Sequence, residues 1–220
     1  ANGTGNGGNI KIASSSGGLN LQSALIQTNG ANGRGGSIET QANSGSILTS
    51  SAIQTIGATQ GGKITLTANT ITLQNNSTLI ATGNTGGGTV LVGGDWQGSN
   101  DVYQAQKVTM EAGAIIDVSA TQNGDGGKVV LWSSLSDTQS RTTVAGSLKA
   151  QCGAQGGQGG KIETSGRQLI ADEIRVDTTA AAGETGLWLL DPYNITISAG
   201  TQSGVDGAYQ ATANSAVVNA

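Results

Sequence analysis

A short segment that begins with two glycines recurs six times along the chain. In each copy an apolar residue follows the glycine pair after one position, and a second apolar residue or a threonine comes two positions later. The copies begin at Gly7, Gly35, Gly61, Gly87, Gly126 and Gly159. The intervals between them are 28, 26, 26, 39 and 33 residues. Such a period is typical of solenoids, in which each repeat buries its apolar side by stacking on its neighbours.

Alignment of the six copies gives two apolar columns separated by a variable column. The first column is Ile10, Ile38, Ile64, Val90, Val129 and Ile162, and the second is Ile12, Thr40, Leu66, Val92, Leu131 and Thr164. The variable column is Lys11, Glu39, Thr65, Leu91, Val130 and Glu163. Alternation with period two predicts a strand with one buried face. We attribute the glycine pair before each strand to a sharp corner, where the backbone often takes a positive φ.

Two further short alternating runs follow each of these strands, as at residues 70–73 and 78–81. Three strands in about 26 residues predict an all-β fold, a right-handed parallel β-helix whose coils lie about 4.8 Å apart. With 37 Gly and 3% aromatic residues, the chain has too few large side chains for an ordinary globular core. Disorder is the alternative for a chain rich in Gly, Ser and Asn, and the Ile and Val columns argue against it.

Charge and cysteine content exclude several classes of function. The net charge is −4, and the ten Lys and Arg are spread singly, which argues against nucleic acid and membrane surfaces as partners. No run approaches the roughly 20 apolar residues of a membrane span. Because the chain has no histidine, we expect the single Cys152 to be a buried small residue and not a nucleophile.

No set of side chains has the spacing that zinc or iron needs, so we expect neither a metal nor a cofactor. Residues 123–126 match part of a calcium-binding nonapeptide, but only one copy is present and such sites need tandem copies. We therefore interpret this stretch, which contains Asp125, as a turn.

The predicted organisation has three parts. Residues 1–185 form the β-helix, 186–199 form a hydrophobic segment that caps it or connects it to a next domain, and 200–220 are a further coil or a linker. The interval after Gly87 is 39 residues in place of 26, and we place the surplus in a lateral insertion near 93–105. Loops expelled from a solenoid often carry binding residues.

The insertion supplies the first set of candidate contact residues, namely Asp95, Trp96 and Tyr103. Trp96 either folds down onto the coil beside it or forms a sugar-stacking or partner-binding surface, and we favour the first interpretation. The residues that it would then cover are Leu91, Val130 or Trp132. The hydrophobic segment supplies the second set, candidates for end-to-end association, which are Trp188, Leu190 and Tyr193.

Four segments resemble the large filamentous-haemagglutinin-like exoproteins of Gram-negative bacteria. They are residues 93–98, 115–133, 156–166 and 186–196, and the likeness covers roughly residues 85–200. It implies a secreted right-handed β-helix, exported by the two-partner route through a dedicated outer-membrane pore and used in adhesion or aggregation at the cell surface. The family's secretion domain carries an Asn-Pro-Asn-Gly turn, whereas the one proline here is Pro192. We therefore interpret the chain as an internal portion of a longer exoprotein.

Three classes of function remain to be compared. A polysaccharide-cleaving β-helix gathers carboxylates on adjacent coils, and the nearest approach here is Asp172 and Glu173 with Arg175, which we interpret as a solvated ion-pair face. We therefore expect no enzymatic activity. Ice or glycan binding by a Thr ladder stays open at Thr65, Thr67, Thr70 and Thr72. The predicted function is a structural segment of a surface fibre or adhesin, with self-association and a cell-surface or glycan ligand.

Overall fold

The computed structural model describes residues 1–99 and 101–193 and the backbone of residues 216–219. These residues form sixteen strands of one sheet and a single-turn 3₁₀ helix, Trp96–Gly98. The strands are β1 (Asn9–Ala13), β2 (Leu19–Leu21), β3 (Leu25–Gln27), β4 (Ser37–Thr49), β5 (Ala52–Gln54), β6 (Lys63–Leu73), β7 (Thr78–Ile80), β8 (Thr89–Val92), β9 (Lys107–Met110), β10 (Ile115–Asp117), β11 (Lys128–Trp132), β12 (Arg141–Lys149), β13 (Lys161–Gly166), β14 (Gln168–Asp177), β15 (Leu187–Pro192) and β16 (Ala216–Asn219). The fold is all-β, as the sequence predicts.

Parallel pairing between successive repeats dominates the sheet. The glycine-pair strands form a first ladder in the order β1, β4, β6, β8, β11, β13 and β15. A second ladder contains β2, β4, β6, β9, β12 and β14, and a third contains β3, β5, β7, β10, β12 and β14. The long strands β4 and β6 run through the first two ladders, and β12 and β14 run through the last two. One strand pair in the described part, β15 with β16, is antiparallel.

The register confirms the alignment of the glycine-pair copies. Every pair of neighbours in the first apolar column is directly opposed, from Ile10 and Ile38 to Val129 and Ile162. The ladder also has a seventh member that the sequence comparison missed, because Trp188 lies opposite Ile162. This copy is hidden in the sequence, since Thr185 replaces the first glycine and a tryptophan occupies the Ile and Val column.

The core is one continuous cluster of aliphatic side chains contributed by all three ladders. Ile64, Ile71 and Leu79, one from each ladder, are fully buried. Burial of such a side chain contributes about 1.5 to 3 kcal/mol. The predicted burial of Cys152 is also confirmed, at 8% exposure.

The sequence predicts that the glycine pairs are needed for a positive φ, and this prediction is wrong. None of the six pairs has a positive φ. A Cβ on Gly61 would instead lie 2.0 Å from the carbonyl oxygen of Ala81, and one on Gly62 would lie 2.1 Å from that of Gly36. The Gly62 N–H donates to the Thr55 carbonyl at 2.7 Å. Glycine is needed because neighbouring backbones approach too closely to leave room for a side chain.

The extra residues of the longer repeats lie beside the ladders. Residues 93–106 connect β8 to β9, whereas β6 runs without interruption between the same two ladders. A second lateral loop, residues 133–140, connects β11 to β12; the sequence analysis did not place it. No helix in the described part of the chain has the length and apolarity to cross a bilayer.

Two of the predicted parts fall partly outside the described residues. Residues 194–199 of the hydrophobic segment lie outside them, as do residues 200–215 and 220 of the tail. The backbone of β16 pairs with β15. The division of the chain into β-helix, capping or connecting segment and tail stays a prediction.

Candidate functional site

The two lateral loops cover the outward face of the later repeats. In the variable column Lys11 is exposed and Glu39 and Thr65 are half-buried, whereas the members of later repeats are buried. These buried members are Leu91, Val130, Glu163 and Leu189. Leu91, Val130 and Trp132 form an apolar cluster on which Trp96 and Leu135 pack. We call these five residues the outer cluster, and it confirms the prediction that Trp96 folds onto the neighbouring coil.

Asp95 fixes the loop that carries Trp96. Its Oδ1 accepts a hydrogen bond from the Trp96 N–H at 2.7 Å, capping the 3₁₀ helix. The same atom lies 2.8 Å from Lys128 Nζ, at the start of β11 in the next repeat. Asp95 is 7% exposed. The carboxylate therefore ties the insertion to its neighbouring repeat.

A cluster of buried carboxyl groups lies under the same loop. Glu163 is fully buried; its Oε2 accepts from the Gln97 N–H at 2.8 Å and its Oε1 from Ser165 Oγ at 2.9 Å. Burial raises the pKa of Glu163 to about 7, and the charges of Asp191 and Asp95 act in the same direction. Burial also raises the pKa of Asp191. These three acids lie far apart in the sequence, and the closest approach of acids expected from the sequence, Asp172 and Glu173, lies elsewhere.

Two signals in the sequence point to this covered face. The variable column becomes apolar at Leu91 and stays so at Val130, which is unexpected for a solvent-facing position. The repeat after Gly126 has 33 residues in place of 26, so a second loop was to be expected there. Glu163 carries no such signal, because an acidic residue in this column is the ordinary sign of exposure.

Tyr103, at the other end of the insertion, lies apart from Trp96. It is 36% exposed and forms one side of a groove of about 410 Å³ over β4 and β6. The polar residues that line this groove are Ser37, Glu39, Gln41, Asn43, Lys63, Thr65, Thr67 and Asp101. We call it the Tyr103 groove. The structure thus separates the three candidate residues of the insertion, and their role in partner contact stays a prediction.

The candidates for end-to-end association are mostly part of the protein's own packing. Leu190 is 5% exposed and Trp188 is half-buried, and both pack with Leu169. The Trp188 Nε1–H donates to Thr164 Oγ1 at 3.1 Å. Tyr193 is 49% exposed, and the guanidinium of Arg167 lies 3.9 Å from its ring centroid. Their association role also stays a prediction.

The other residues that the sequence analysis singled out occupy ordinary surface positions. Asp172, Glu173 and Arg175 are exposed. Within the described residues none of them forms an ion pair, so the predicted ion-pair face is wrong: the three side chains are solvated singly. Asp125 Oδ1 accepts from the Gln158 N–H at 2.7 Å, which links two neighbouring turns. In the described ranges no group of three or more His, Cys, Asp or Glu is placed to hold a metal ion.

Comparison with known proteins gives a likeness to a solved structure. No family model matches the chain, and no curated protein matches it. The structure is similar to the crystal structure of the HMW1 secretion domain from Haemophilus influenzae, with a TM-score of 0.58 and 27% sequence identity. The match covers 83% of this chain and 48% of that one. This chain is therefore similar over most of its length to a secretion domain, of which it spans about half.

Proposed function

We propose that this chain is a structural segment of a secreted bacterial surface fibre or adhesin. The observation that carries the proposal is the in-register parallel stacking of the glycine-pair strands. Such stacking gives a rigid, extensible body with a long surface, which is what attachment and aggregation at a distance from the cell require. The likeness to the HMW1 secretion domain supports the same class of exported protein.

The proposed fold is a right-handed parallel β-helix with coils of about 26 residues and three short strands. The chain passes through the first, second and third ladders in turn and then returns to the first, one strand further along. Right-handed connections are strongly preferred between parallel strands of one sheet. Both features support the β-helix that the sequence predicts.

The proposed export route is the two-partner pathway of Gram-negative bacteria. The parent chain would cross the outer membrane through a dedicated transporter and act at the cell surface or outside the cell. The filamentous-haemagglutinin-like segments of the sequence support this route, as does the structural likeness to a secretion domain.

We further propose that the segment associates end to end with adjoining β-helical segments, in the same chain or in a second molecule. In the described part β1, β2 and β3 each pair with a strand on one side only. Leu25 in β3 is 61% exposed. An open strand edge with apolar side chains is a template for pairing with another strand. At the other end β16 already pairs with β15.

Neither catalysis nor ice binding is part of the proposal. Burial raises the pKa of Glu163 to about 7, but the side chain is fully buried beneath the insertion, so we assign it no catalytic role. The Thr ladder is short: Thr72 lies between Leu48 and Thr109, and Thr70 lies beside Lys107. A flat surface for ice would need the same residue type across many repeats.

Surface labelling of cells tests the proposal. Antibodies raised against this chain should label intact cells of the bacterium that produces it, or detect the parent chain in the culture medium. Labelling should be lost when the gene of the cognate outer-membrane transporter is deleted. A cytoplasmic protein that is detected only after lysis is the control. If the parent chain is also detected only after lysis, the proposal is wrong.

Association is tested separately by sedimentation of the purified chain with and without residues 186–220. Self-association of the full chain that grows with concentration supports the proposal, and the deletion, which removes β15 from the first ladder, shows whether that end takes part. If both proteins are monomeric at high concentration, end-to-end association is excluded.

A further inference from the structure

The Tyr103 groove has a floor made of two adjacent strands. Glu39 and Gln41 of β4 lie directly opposite Thr65 and Thr67 of β6. The side chains form two parallel rows, separated by the ordinary strand spacing of about 4.8 Å. Tyr103 stands at the side of this floor. The groove therefore combines an aromatic wall with a floor of hydroxyl, amide and carboxylate groups.

The insertion holds the wall in a fixed position. The loop is closed at its base, where the Ala105 N–H donates to the Gly93 carbonyl at 2.9 Å. Asp95 anchors its first half through the bond to Lys128, and Trp96 packs on the outer cluster. In the structure, Tyr103 lies beside residues of β4 and β6. A pre-formed wall reduces the ordering cost of binding.

The chemistry of the groove favours a ligand with many hydroxyl groups. Its volume of about 410 Å³ falls in the range of about 300 to 1,000 Å³ that is usual for small-ligand sites. The lining offers both donors and acceptors, and the exposed ring of Tyr103 offers an apolar face. Asn43, which also lines the groove, has a buried Oδ1 with no hydrogen-bond partner among the described residues. Sugars present this mixture of ring C–H faces and regularly spaced hydroxyls.

The charges in the groove favour a neutral ligand. Glu39 and Asp101 supply two carboxylates and Lys63 supplies one ammonium group. Glu39 is paired with Lys11, with 3.1 Å between Oε1 and Nζ. With Lys11 included, two carboxylates are matched by two ammonium groups, so the groove has no net positive charge to attract a sialylated or sulfated sugar.

We propose that the Tyr103 groove is a binding site for neutral oligosaccharides. The ring of Tyr103 stacks on one sugar, and Gln41, Thr65 and Thr67 hydrogen-bond its hydroxyls from the floor. The site would give the segment a ligand of its own, and it does not depend on the export route or on end-to-end association.

A glycan array with matched variants tests the site. The array carries neutral oligosaccharides of glycoprotein type, sialylated and sulfated forms of the same sugars, and fragments of neutral polysaccharides, so that the source of the sugar is distinguished. The variants are Tyr103→Ala, which removes the wall, and Thr65→Arg, which fills the floor. The control is Thr72→Arg, a half-buried outward threonine of the same strand outside the groove. Thermal unfolding checks that each variant is folded.

The wild-type chain and the control should bind at least one neutral sugar, and both groove variants should bind it at least about tenfold more weakly. If Tyr103→Ala fails to fold, Thr65→Arg alone decides. The proposal is overturned if the wild type binds no neutral sugar, if it prefers the acidic forms, or if the folded groove variants bind as well as the control.

Discussion

The early and late repeats have the same inward face and opposite outward faces. Around β1, β4 and β6 the variable column is open to solvent, with Lys11 exposed and Thr65 half-buried. Around β8, β11 and β13 the same column is buried, at Leu91, Val130 and Glu163. Both regions keep the glycine pairs and the inward Ile and Val columns. The repeat pattern therefore determines the core, and the lateral loops determine which outward-facing residues are exposed.

The largest expected effect comes from the inward face that the two regions share. Ile64→Asp places a carboxylate in a fully buried position between Ile38 and Val90. Burial of an unpaired charge should cost at least about 4 kcal/mol, and the chain should unfold or split at this repeat. Circular dichroism during urea unfolding measures the loss. A folded variant with an unchanged midpoint would show that Ile64 does not face the core.

The glycine pairs provide the next test. Gly61→Ala in the early region and Gly126→Ala in the late region each bring a Cβ to about 2 Å from a backbone oxygen, that of Ala81 at 2.0 Å or Ala150 at 2.1 Å. Each substitution should lower the free energy of unfolding by about 3 kcal/mol or more. The two losses should be similar because both glycines lie against the backbone of a neighbouring repeat.

Gly86→Ala is the matched control for these glycine substitutions. Gly86 is buried, whereas Gly61 and Gly126 are half-buried, but its added Cβ would meet only the Gln60 side chain, at 3.6 Å. We expect a change within about 0.5 kcal/mol. A cost equal to that of Gly61→Ala would mean that conformation, and not close approach, makes glycine necessary.

A pH profile distinguishes the two outward faces. The pKa of Glu163 rises from its ordinary 4.5 to about 7 in the folded protein, so between these values the folded state holds a proton that the unfolded chain releases. Glu163 taken alone leaves stability unaffected below about pH 4.5 and lowers it as the pH rises to about 7, by at most about 3 kcal/mol. The raised pKa of Asp191 acts in the same direction.

Glu163→Gln should flatten this profile, measured as the melting temperature between pH 4.5 and 8. Glu39→Gln, in the same column of an early repeat, is the control variant, and its profile is measured over the same range. A wild-type stability that increases from pH 5 to pH 7.5 would contradict the burial of Glu163.

The smallest expected effect is that of a chelator. Asp125 makes a hydrogen bond to the next turn, and in the described residues no cluster is placed to hold a metal. EDTA should leave the melting temperature unchanged within about one degree. For a chain of this size a loss of 1 kcal/mol in stability lowers the melting temperature by about 2–4 °C. A drop of several degrees would reopen the calcium interpretation of residues 123–126.

Much of the inward architecture could be predicted from the sequence, because period-two alternation and a fixed repeat length are local signals. The opposition of Ile64 with Ile38 and Val90 follows directly from the alignment. The seventh glycine-pair strand was missed because Trp188 and Thr185 break the residue types of the pattern. The reason for the glycines was also missed, since it depends on the distance between backbones of different repeats, which no single repeat encodes.

The outward face was harder to predict because it depends on where loops of irregular length fold. The packing of Trp96 was predicted, since a large aromatic side chain next to apolar outward-facing residues can bury its surface by packing on them. The carboxyl cluster of Asp95, Glu163 and Asp191 was not predicted, because these residues lie far apart in the sequence. The Tyr103 groove likewise depends on the insertion turning back over β4 and β6.

One matched pair of substitutions tests the central claim that the same column is surface in early repeats and core in late ones. Thr65→Asp and Val130→Asp change corresponding positions of β6 and β11, and urea unfolding gives the stability of each. Thr65→Asp should change stability by no more than about 0.5 kcal/mol, whereas Val130→Asp should lose at least about 3 kcal/mol, since it buries a charge within the outer cluster. Equal losses for the two variants would contradict the account.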